Sequence, residues 1–203
     1  DKKLFTQPDE SYLGECPLCF LPMPLDRTKS AFYPCCSRII CDGCVYAHCM
    51  SNIHDRAKAE RCPFCRESAA NKEENKKKNM ERVKANDPAA LAHMGGECYD
   101  EGDYDIAFEH FRKAAALGDV EAHSKLGVMY WDGEGVDKDE EKAVHHYEKA
   151  AIGGHYMARH ELGVIEERNG NIGRAVKHFI IAAKLGYDLS MKALWNHYSD
   201  GSI

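Results

Sequence analysis

The stretch that decides the fold of this chain is AHSKLGVMYWDGEGVDKDEEKAVHHYEKAA, residues 122–151. Parts of this stretch recur before and after it, at offsets of 32, 36 and 32 residues. One column of small residues contains Ala90, Ala122, Ala158 and Ser190, and a column four positions later contains Met94-Gly95, Leu126-Gly127, Leu162-Gly163 and Leu194-Trp195. Self-similarity at such a period indicates a repeat architecture.

The second half of each unit forms another register. Its columns contain the alanines Ala107, Ala143 and Ala175, the aromatic residues Phe111, Tyr147 and Phe179, and the closing glycines Gly118, Gly154 and Gly186. Small residues let two helices approach closely, aromatic side chains fill the space between units, and glycine supplies the positive φ that ends a helix. Each unit is therefore predicted to be a pair of helices, and Asp87 followed by Pro88 gives the capping signal that begins the first unit.

This pattern resembles a tetratricopeptide-type array, and more specifically the Sel-one-like repeat, because the middle unit reads YWDGEGV over residues 130–136. The resemblance covers residues 87–203, about three and a half units, and implies an all-α helical-repeat solenoid. Solenoids present extended surfaces to other proteins, so we expect a protein substrate or adaptor to bind here. The 12 basic and 21 acidic residues of this segment leave a charge of -9, which would attract basic segments of a partner.

A run of mixed charges precedes the repeats, and we predict a charged helical connector over residues 68–86. Between Asn71 and Asn86 six basic residues stand against three acidic ones, and the stretch contains no glycine or proline. Met80 and Val83 lie at helical spacing, which favours a solvated helix over a localisation signal.

Nine of the ten cysteines lie between Cys16 and Cys65. Three CxxC pairs (Cys16 and Cys19, Cys41 and Cys44, Cys62 and Cys65) and the adjacent Cys35 and Cys36 supply eight sulfur atoms, enough for two tetrahedral zinc ions. Disulfides are the alternative, but the CxxC spacing and the odd cysteine favour zinc and an intracellular, reducing compartment, the cytoplasm in preference to the nucleus.

The order and spacing of these pairs resemble a RING-type zinc finger over residues 13–67, a small zinc-stabilised α+β module. The resemblance implies two structural zinc ions in a cross-brace, with Cys16, Cys19, Cys41 and Cys44 on the first and Cys35, Cys36, Cys62 and Cys65 on the second. The sequence departs from the common pattern at Arg38, where a histidine ligand is usual, and adjacent ligands require a bent backbone. His48, Cys49 and His54 therefore remain alternative ligands. The simpler interpretation places them on a helix after Cys44 whose packing face is Tyr46, Met50 and Ile53.

The RING resemblance implies a ubiquitin ligase that recruits a ubiquitin-conjugating enzyme. Leu18 and Pro63 match positions that contact the conjugating enzyme, and Arg66 matches the basic residue that hydrogen-bonds both the enzyme and ubiquitin. The tryptophan often found before the last cysteine pair is absent, and Ile53 or Met50 is the candidate replacement. The competing hypothesis is a non-catalytic zinc-dependent scaffold.

Other functional classes are disfavoured by composition. The longest apolar run, Phe179 to Ala183, is five residues against the roughly 20 that a transmembrane helix requires, so we expect no membrane insertion. The net charge is -6 and no basic face stands out in the sequence, so we expect no nucleic-acid binding. The sequence contains no Walker-type loop or HExxH motif.

Overall fold

The computed structural model describes residues 3–6, 8, 11–67 and 72–201. Its N-terminal part is a small module built on one β-hairpin, in which β1 (Ser30–Tyr33) pairs antiparallel with β2 (Arg38–Cys41). Two helices follow, α1 (Asp42–Ser51) and α2 (Arg56–Ala59). The apolar core at the centre of this module contains three buried side chains, Cys16, Met23 and Ile40, and Cys62 is buried in its last cysteine pair. Burial of so few side chains contributes roughly 10 kcal/mol or less, so the module requires a further source of stability.

The remainder of the described chain is helical, as the repeat pattern predicts. The helices are α3 (Lys72–Lys84), α4 (Pro88–Glu101), α5 (Tyr104–Ala116), α6 (Val120–Asp132), α7 (Glu140–Ile152), α8 (Tyr156–Arg168), α9 (Ile172–Lys184) and α10 (Asp188–Ser199). The most extensive contacts join α4 to α5, α6 to α7 and α8 to α9, which are the three predicted pairs. The predicted solenoid is confirmed, and α10 is the first helix of a fourth unit.

The glycine and aromatic columns explain how each pair closes. In every pair, the glycine of the first helix faces the aromatic ring of the second so closely that no side chain would fit between them. A Cβ atom would lie 2.9 Å from the ring at Gly95 and Phe111, and 2.5 Å from it at Gly127 and Tyr147 and at Gly163 and Phe179. These three rings are at most 3% exposed, and they form the centres of the repeat cores.

The connector is helical over Lys72–Lys84, and the rest of the predicted connector before it, residues 68–71, lies outside the described residues. Most of α3 faces solvent, as expected, but Asn79 is buried and Val83 packs against the first repeat core. Arg82 joins three parts of the chain, since it donates to the carbonyl oxygen of Cys35 at 2.8 Å and pairs with Asp87 at 3.0 Å. Among the described helices, none has the length and apolarity needed to cross a bilayer.

The predicted packing face after Cys44 is wrong. Tyr46, Met50 and Ile53 are 67%, 47% and 61% exposed, and Ile53 lies beyond the end of α1. Cys44 and Val45 pack against the small core instead. Because a helix turns about 100° per residue, residues 46 and 50 lie roughly 200° and 240° around the axis from Cys44. The inward position of this cysteine therefore turns Tyr46 and Met50 toward solvent.

Candidate metal centres

Two CxxC loops in the module have the same backbone geometry. In the first, Phe20 N donates to Cys16 O and Cys16 N donates to Leu21 O, each at 2.9 Å. In the second, Arg66 N donates to Cys62 O at 2.9 Å and Cys62 N donates to Glu67 O at 2.8 Å. The residue after each pair has positive φ, 58° at Phe20 and 63° at Arg66. Both loops thus hold two sulfur atoms on one side of a tight turn.

The other four sulfur atoms come from the hairpin and the start of α1. Cys35 and Cys36 lie in the turn between β1 and β2, where Cys36 N donates to Tyr33 O at 3.2 Å and Ser37 has a φ of 50°. This turn provides the bent backbone that adjacent ligands require. Cys41 ends β2 and caps α1, which brings Cys44 back toward it within the first helical turn.

The eight sulfur atoms gather into two groups of four. Within each group, all four atoms lie within 4.8 Å of one another. The groups are the two that the cross-brace implies: Cys16, Cys19, Cys41 and Cys44 in one, and Cys35, Cys36, Cys62 and Cys65 in the other. All of these cysteines are free of disulfides.

The sulfur separations fit a zinc ion. With Zn–S bonds of about 2.3 Å, tetrahedral geometry places sulfur atoms about 3.8 Å apart, whereas a disulfide would bring them to about 2.05 Å. The Sγ atoms of Cys16 and Cys44 are 3.8 Å apart, as are those of Cys19 and Cys41. In the second group, Cys36 and Cys62 are 3.8 Å apart and Cys35 and Cys65 are 3.4 Å apart. Four thiolates would fill a tetrahedral zinc and leave no position for a substrate.

The electrostatics of the sulfur atoms point the same way. Burial opposes ionisation of Cys16, but backbone N–H groups of Cys19, Cys41 and Leu18 favour the thiolate and lower the pKa of Cys16 to about 6. Burial and the neighbouring Cys62 raise the pKa of Cys36 to about 11. Thiols packed this closely resist ionising together, and a divalent cation removes that conflict by stabilising the thiolates.

The alternative ligands lie outside both groups. His48 Nε2 is 3.0 Å from the carbonyl oxygen of Lys58, and its ring links α1 to α2. Cys49 and His54 are exposed. Among the described residues, the clusters of metal-ligating side chains contain only the eight cysteines.

The predicted contact residues for a conjugating enzyme lie in three places. Leu18 is half-buried in the first CxxC loop and packs against the small core, so it supports the fold as well as the surface. Pro63 is half-buried in the second loop. Arg66 closes that loop through its backbone N–H, and its side chain is exposed. Ile53 follows α1.

Sequence analysis missed the exposed apolar side chains of the CxxC loops, Phe20, Leu21 and Phe64. Their position next to the cysteines was the available signal, because side chains beside fixed ligands have little freedom to turn inward. Tyr46 and Met50, assigned to packing, are exposed as well, as neighbours at i and i+4 on α1.

The module docks on the repeats along one edge of the solenoid, where the second helix of each unit turns into the first helix of the next. Tyr12 OH donates to the Glu121 carboxylate, and the Tyr12 ring stacks on His155 with centroids 4.3 Å apart. Tyr156 OH donates to Leu25 O at 3.0 Å. A cleft of about 520 Å³ remains between the module and α4.

Comparisons with known proteins identify the helical part. The family model described as Sel1 repeat matches three successive segments, 88–119, 120–155 and 156–187. A Sel1 repeat protein from Oxalobacter formigenes is similar, with a TM-score of 0.58 and 27% identity over 64% of this chain and 57% of that one. The protein c5321, a protective antigen of uropathogenic Escherichia coli with an SLR fold, has a TM-score of 0.57 and 32% identity over 62% of this chain and 28% of its own.

Among curated proteins, HcpC of Helicobacter pylori strain 26695, whose name assigns it provisionally to the beta-lactamases, is 38% identical over 52 residues. That match spans 26% of this chain and 18% of HcpC, so the chain covers less than a fifth of this relative. The matched segments coincide with the helix pairs and the glycine–aromatic columns described above. Residues 88–187 of this chain are therefore three Sel1 repeats, stacked into a solenoid.

Proposed function

We propose that this chain is a RING-type ubiquitin ligase that contains two structural zinc ions and recruits a ubiquitin-conjugating enzyme through its cysteine module. The Sel1 repeats would hold the protein to be modified, or an adaptor for it. The observation that carries the proposal is the division of eight cysteines into two interleaved groups with sulfur spacings suited to zinc. The thiols require an intracellular, reducing compartment, for which we propose the cytoplasm.

The proposed zinc ions supply stability, because all four positions of each are filled by protein. Recruitment then depends on the surface that surrounds them. The two CxxC loops and α1 display Phe20, Phe64, Tyr46 and Met50 to solvent, with Ile53 just beyond. Apolar side chains gain free energy when a partner covers them, so this surface suits a protein interface.

Arg66 has a separate role in the proposal. Its exposed guanidinium carries five N–H donors in a planar fork, which can bridge carbonyl groups of two different proteins. The positive φ of Arg66 and its bond to Cys62 O fix the direction in which the side chain leaves the loop. Arg66 would therefore order the thioester-linked ubiquitin against the conjugating enzyme.

The test is single-turnover discharge of ubiquitin from a panel of conjugating enzymes to free lysine. Ile53→Ala should weaken recruitment about tenfold, the loss of roughly 1.4 kcal/mol expected for an apolar interface contact. Arg66→Ala should slow discharge at saturating enzyme while leaving recruitment largely intact. The matched controls are Met191→Ala, an exposed apolar residue on α10, and Arg61→Ala, an exposed arginine beside the same loop.

Zinc content and a thermal melt of each variant separate activity from folding. Leu18 is a poorer choice for this test because its side chain also packs in the core. If the wild-type chain accelerates discharge from no enzyme in the panel, or if Ile53→Ala and Arg66→Ala both match it, the ligase proposal fails.

A zinc-dependent scaffold is the second candidate. It is favoured by the docking of the module on the repeats, through Tyr12 and Leu25 near their turns and through Phe32 on α4. A module that serves mainly to brace the array requires these contacts and no conjugating enzyme. If the wild-type chain discharges ubiquitin from no conjugating enzyme but still binds a partner through its repeats, the scaffold function replaces the ligase.

A further inference from the structure

The third Sel1 repeat contains a buried arginine that the repeat pattern does not require. Arg159 lies in α8 and is 0% exposed. The equivalent positions of the other units hold Leu91, His123 and Met191. Arginine is therefore not a recurring residue of this column.

The guanidinium of Arg159 is incompletely satisfied. Nη1 donates to the carbonyl oxygen of Leu4, and Nη2 donates to the carbonyl oxygen of Ala151 at 2.7 Å. Among the described residues, Nε has no hydrogen-bond partner and no carboxylate pairs with the guanidinium. Burial lowers the pKa of Arg159 to about 10. A buried cation held only by neutral carbonyl groups lacks the anion that would offset its desolvation.

The group that covers Arg159 is the N-terminal segment of the same chain. The Leu4 side chain is 6% exposed and belongs to the core of the second and third repeats. The next residue, Phe5, lies 4.7 Å from the His178 ring, with Arg174 and Lys177 5.1 and 5.5 Å from its own centroid. The pocket thus combines an apolar cavity, filled here by Leu4, with the basic side chains of Arg159, Arg174 and Lys177. Among the described residues, Glu166 forms an ion pair with Arg174.

We infer that the Arg159 pocket is a binding site for the C-terminal carboxylate of a partner protein, and that residues 3–6 occupy it in this structure as an intramolecular stand-in. The main-chain oxygen of Leu4 already accepts a hydrogen bond from Nη1 of Arg159. A chain that ends in leucine would present a carboxylate there, with a second oxygen and a negative charge that a peptide carbonyl lacks. The surrounding array is acidic overall, so the basic pocket also selects where an anionic chain end would bind.

The inference rests on the part of the proposed function that gives the repeats a protein partner. It does not depend on zinc or on ubiquitin transfer, and its test uses neither. A chain that fails the discharge assay can still pass this test, and the reverse also holds.

The experiment measures fluorescence anisotropy of a labelled peptide with the sequence of residues 1–4, Asp-Lys-Lys-Leu, as the free acid and as the C-terminal amide. The full-length variant Leu4→Ala/Phe5→Ala weakens the internal competitor. We expect the free acid to bind this variant at least tenfold more tightly than it binds the wild-type chain, and at least tenfold more tightly than the amide does. A third probe, the amide of Asp-Lys-Lys-Leu-Glu, carries an additional carboxylate on the glutamate side chain instead of at the chain end. It should bind with the same affinity as the amide of Asp-Lys-Lys-Leu.

Arg159→Gln, placed in the Leu4→Ala/Phe5→Ala background, should abolish the preference for the free acid. Arg168→Gln is the matched control, because Arg168 is an exposed arginine on the same helix. The comparison of acid with amide needs no change at Arg159, so it remains decisive if Arg159→Gln does not fold. Equal binding of acid and amide, or no gain on weakening the internal segment, would show that Arg159 serves only to anchor that segment. Tight binding of the glutamate probe would overturn the assignment to a chain end.

Discussion

Cys36→Ser tests the metal centres most directly. Cys36 is the unusual one of the proposed ligands, adjacent to Cys35 in the hairpin turn, and its Sγ atom lies 3.8 Å from that of Cys62. Serine keeps the size of the side chain but offers a hydroxyl that is not ionised near neutral pH. We expect the zinc content to fall from two ions per chain to one, measured by mass spectrometry of the metal after gel filtration.

The energetic consequence follows from the size of the core. A structural zinc site contributes on the order of 10 kcal/mol or more to folding. The three buried side chains of the module's apolar core, Cys16, Met23 and Ile40, contribute roughly 3 kcal/mol or less each, and their sum is below what one zinc site provides. Loss of the second zinc should therefore unfold the hairpin turn and the second CxxC loop. Both tryptophans, Trp131 and Trp195, lie in the repeats, so their fluorescence reports the solenoid separately.

The matched control is Cys49→Ser, since Cys49 is exposed on α1 and outside both sulfur groups. It should retain two zinc ions and the wild-type melting temperature. If Cys36→Ser keeps both ions, or if Cys49→Ser loses one, the ligand set is wrong and Cys49, His48 or His54 completes the second site. Loss of the tryptophan-reported transition in step with zinc would show that the solenoid cannot fold without the module.

Three further predictions concern the repeats and loops. Gly95→Ala should destabilise the solenoid by about 1–2 kcal/mol in urea unfolding, because the new Cβ would lie 2.9 Å from the Phe111 ring. The control is Gly96→Ala, whose Cβ would meet no atom within 4 Å and which should stabilise the helix by up to about 1 kcal/mol. Phe20→Gly should slow zinc release to a chelator by relieving the positive φ of an exposed side chain, and faster release would contradict that reasoning. Burial lowers the pKa of His178 from 6.5 to about 4, so the unfolded chain binds the extra proton between these values and stability should fall as pH falls through that window, with a smaller slope in His178→Gln.

The repeat part of the fold could be predicted from sequence because packing constrains it locally. A glycine and an aromatic residue, such as Gly127 and Tyr147, recur in every unit because the two helices of a pair lie so close together that no larger residue fits at the glycine. Cysteine spacing likewise predicts which two sulfur atoms share a CxxC turn, and the RING resemblance implies how the pairs combine into the two groups.

Other features depend on contacts that no local pattern encodes. The direction of α1 follows from the inward position of Cys44, so an apolar period of Tyr46 and Met50 that suggests a packing face instead marks an exposed one. The bond from Tyr12 to Glu121 joins residues 109 apart. Arg82 likewise contacts the carbonyl oxygen of Cys35 across 47 residues, although the charge run around it reads as fully solvated.

The docking of the module along the turns of the solenoid has a geometric consequence for the proposed ligase. A recruiting module on a free tether samples many distances, and any lysine within its reach can accept ubiquitin. Here Tyr12, Leu25 and Arg82 hold the module against the array and its connector, so a bound conjugating enzyme and a bound target would stand at a set separation. The target lysine would then be selected by distance: ubiquitin would reach only those lysines that lie at the set separation from the segment bound by the repeats.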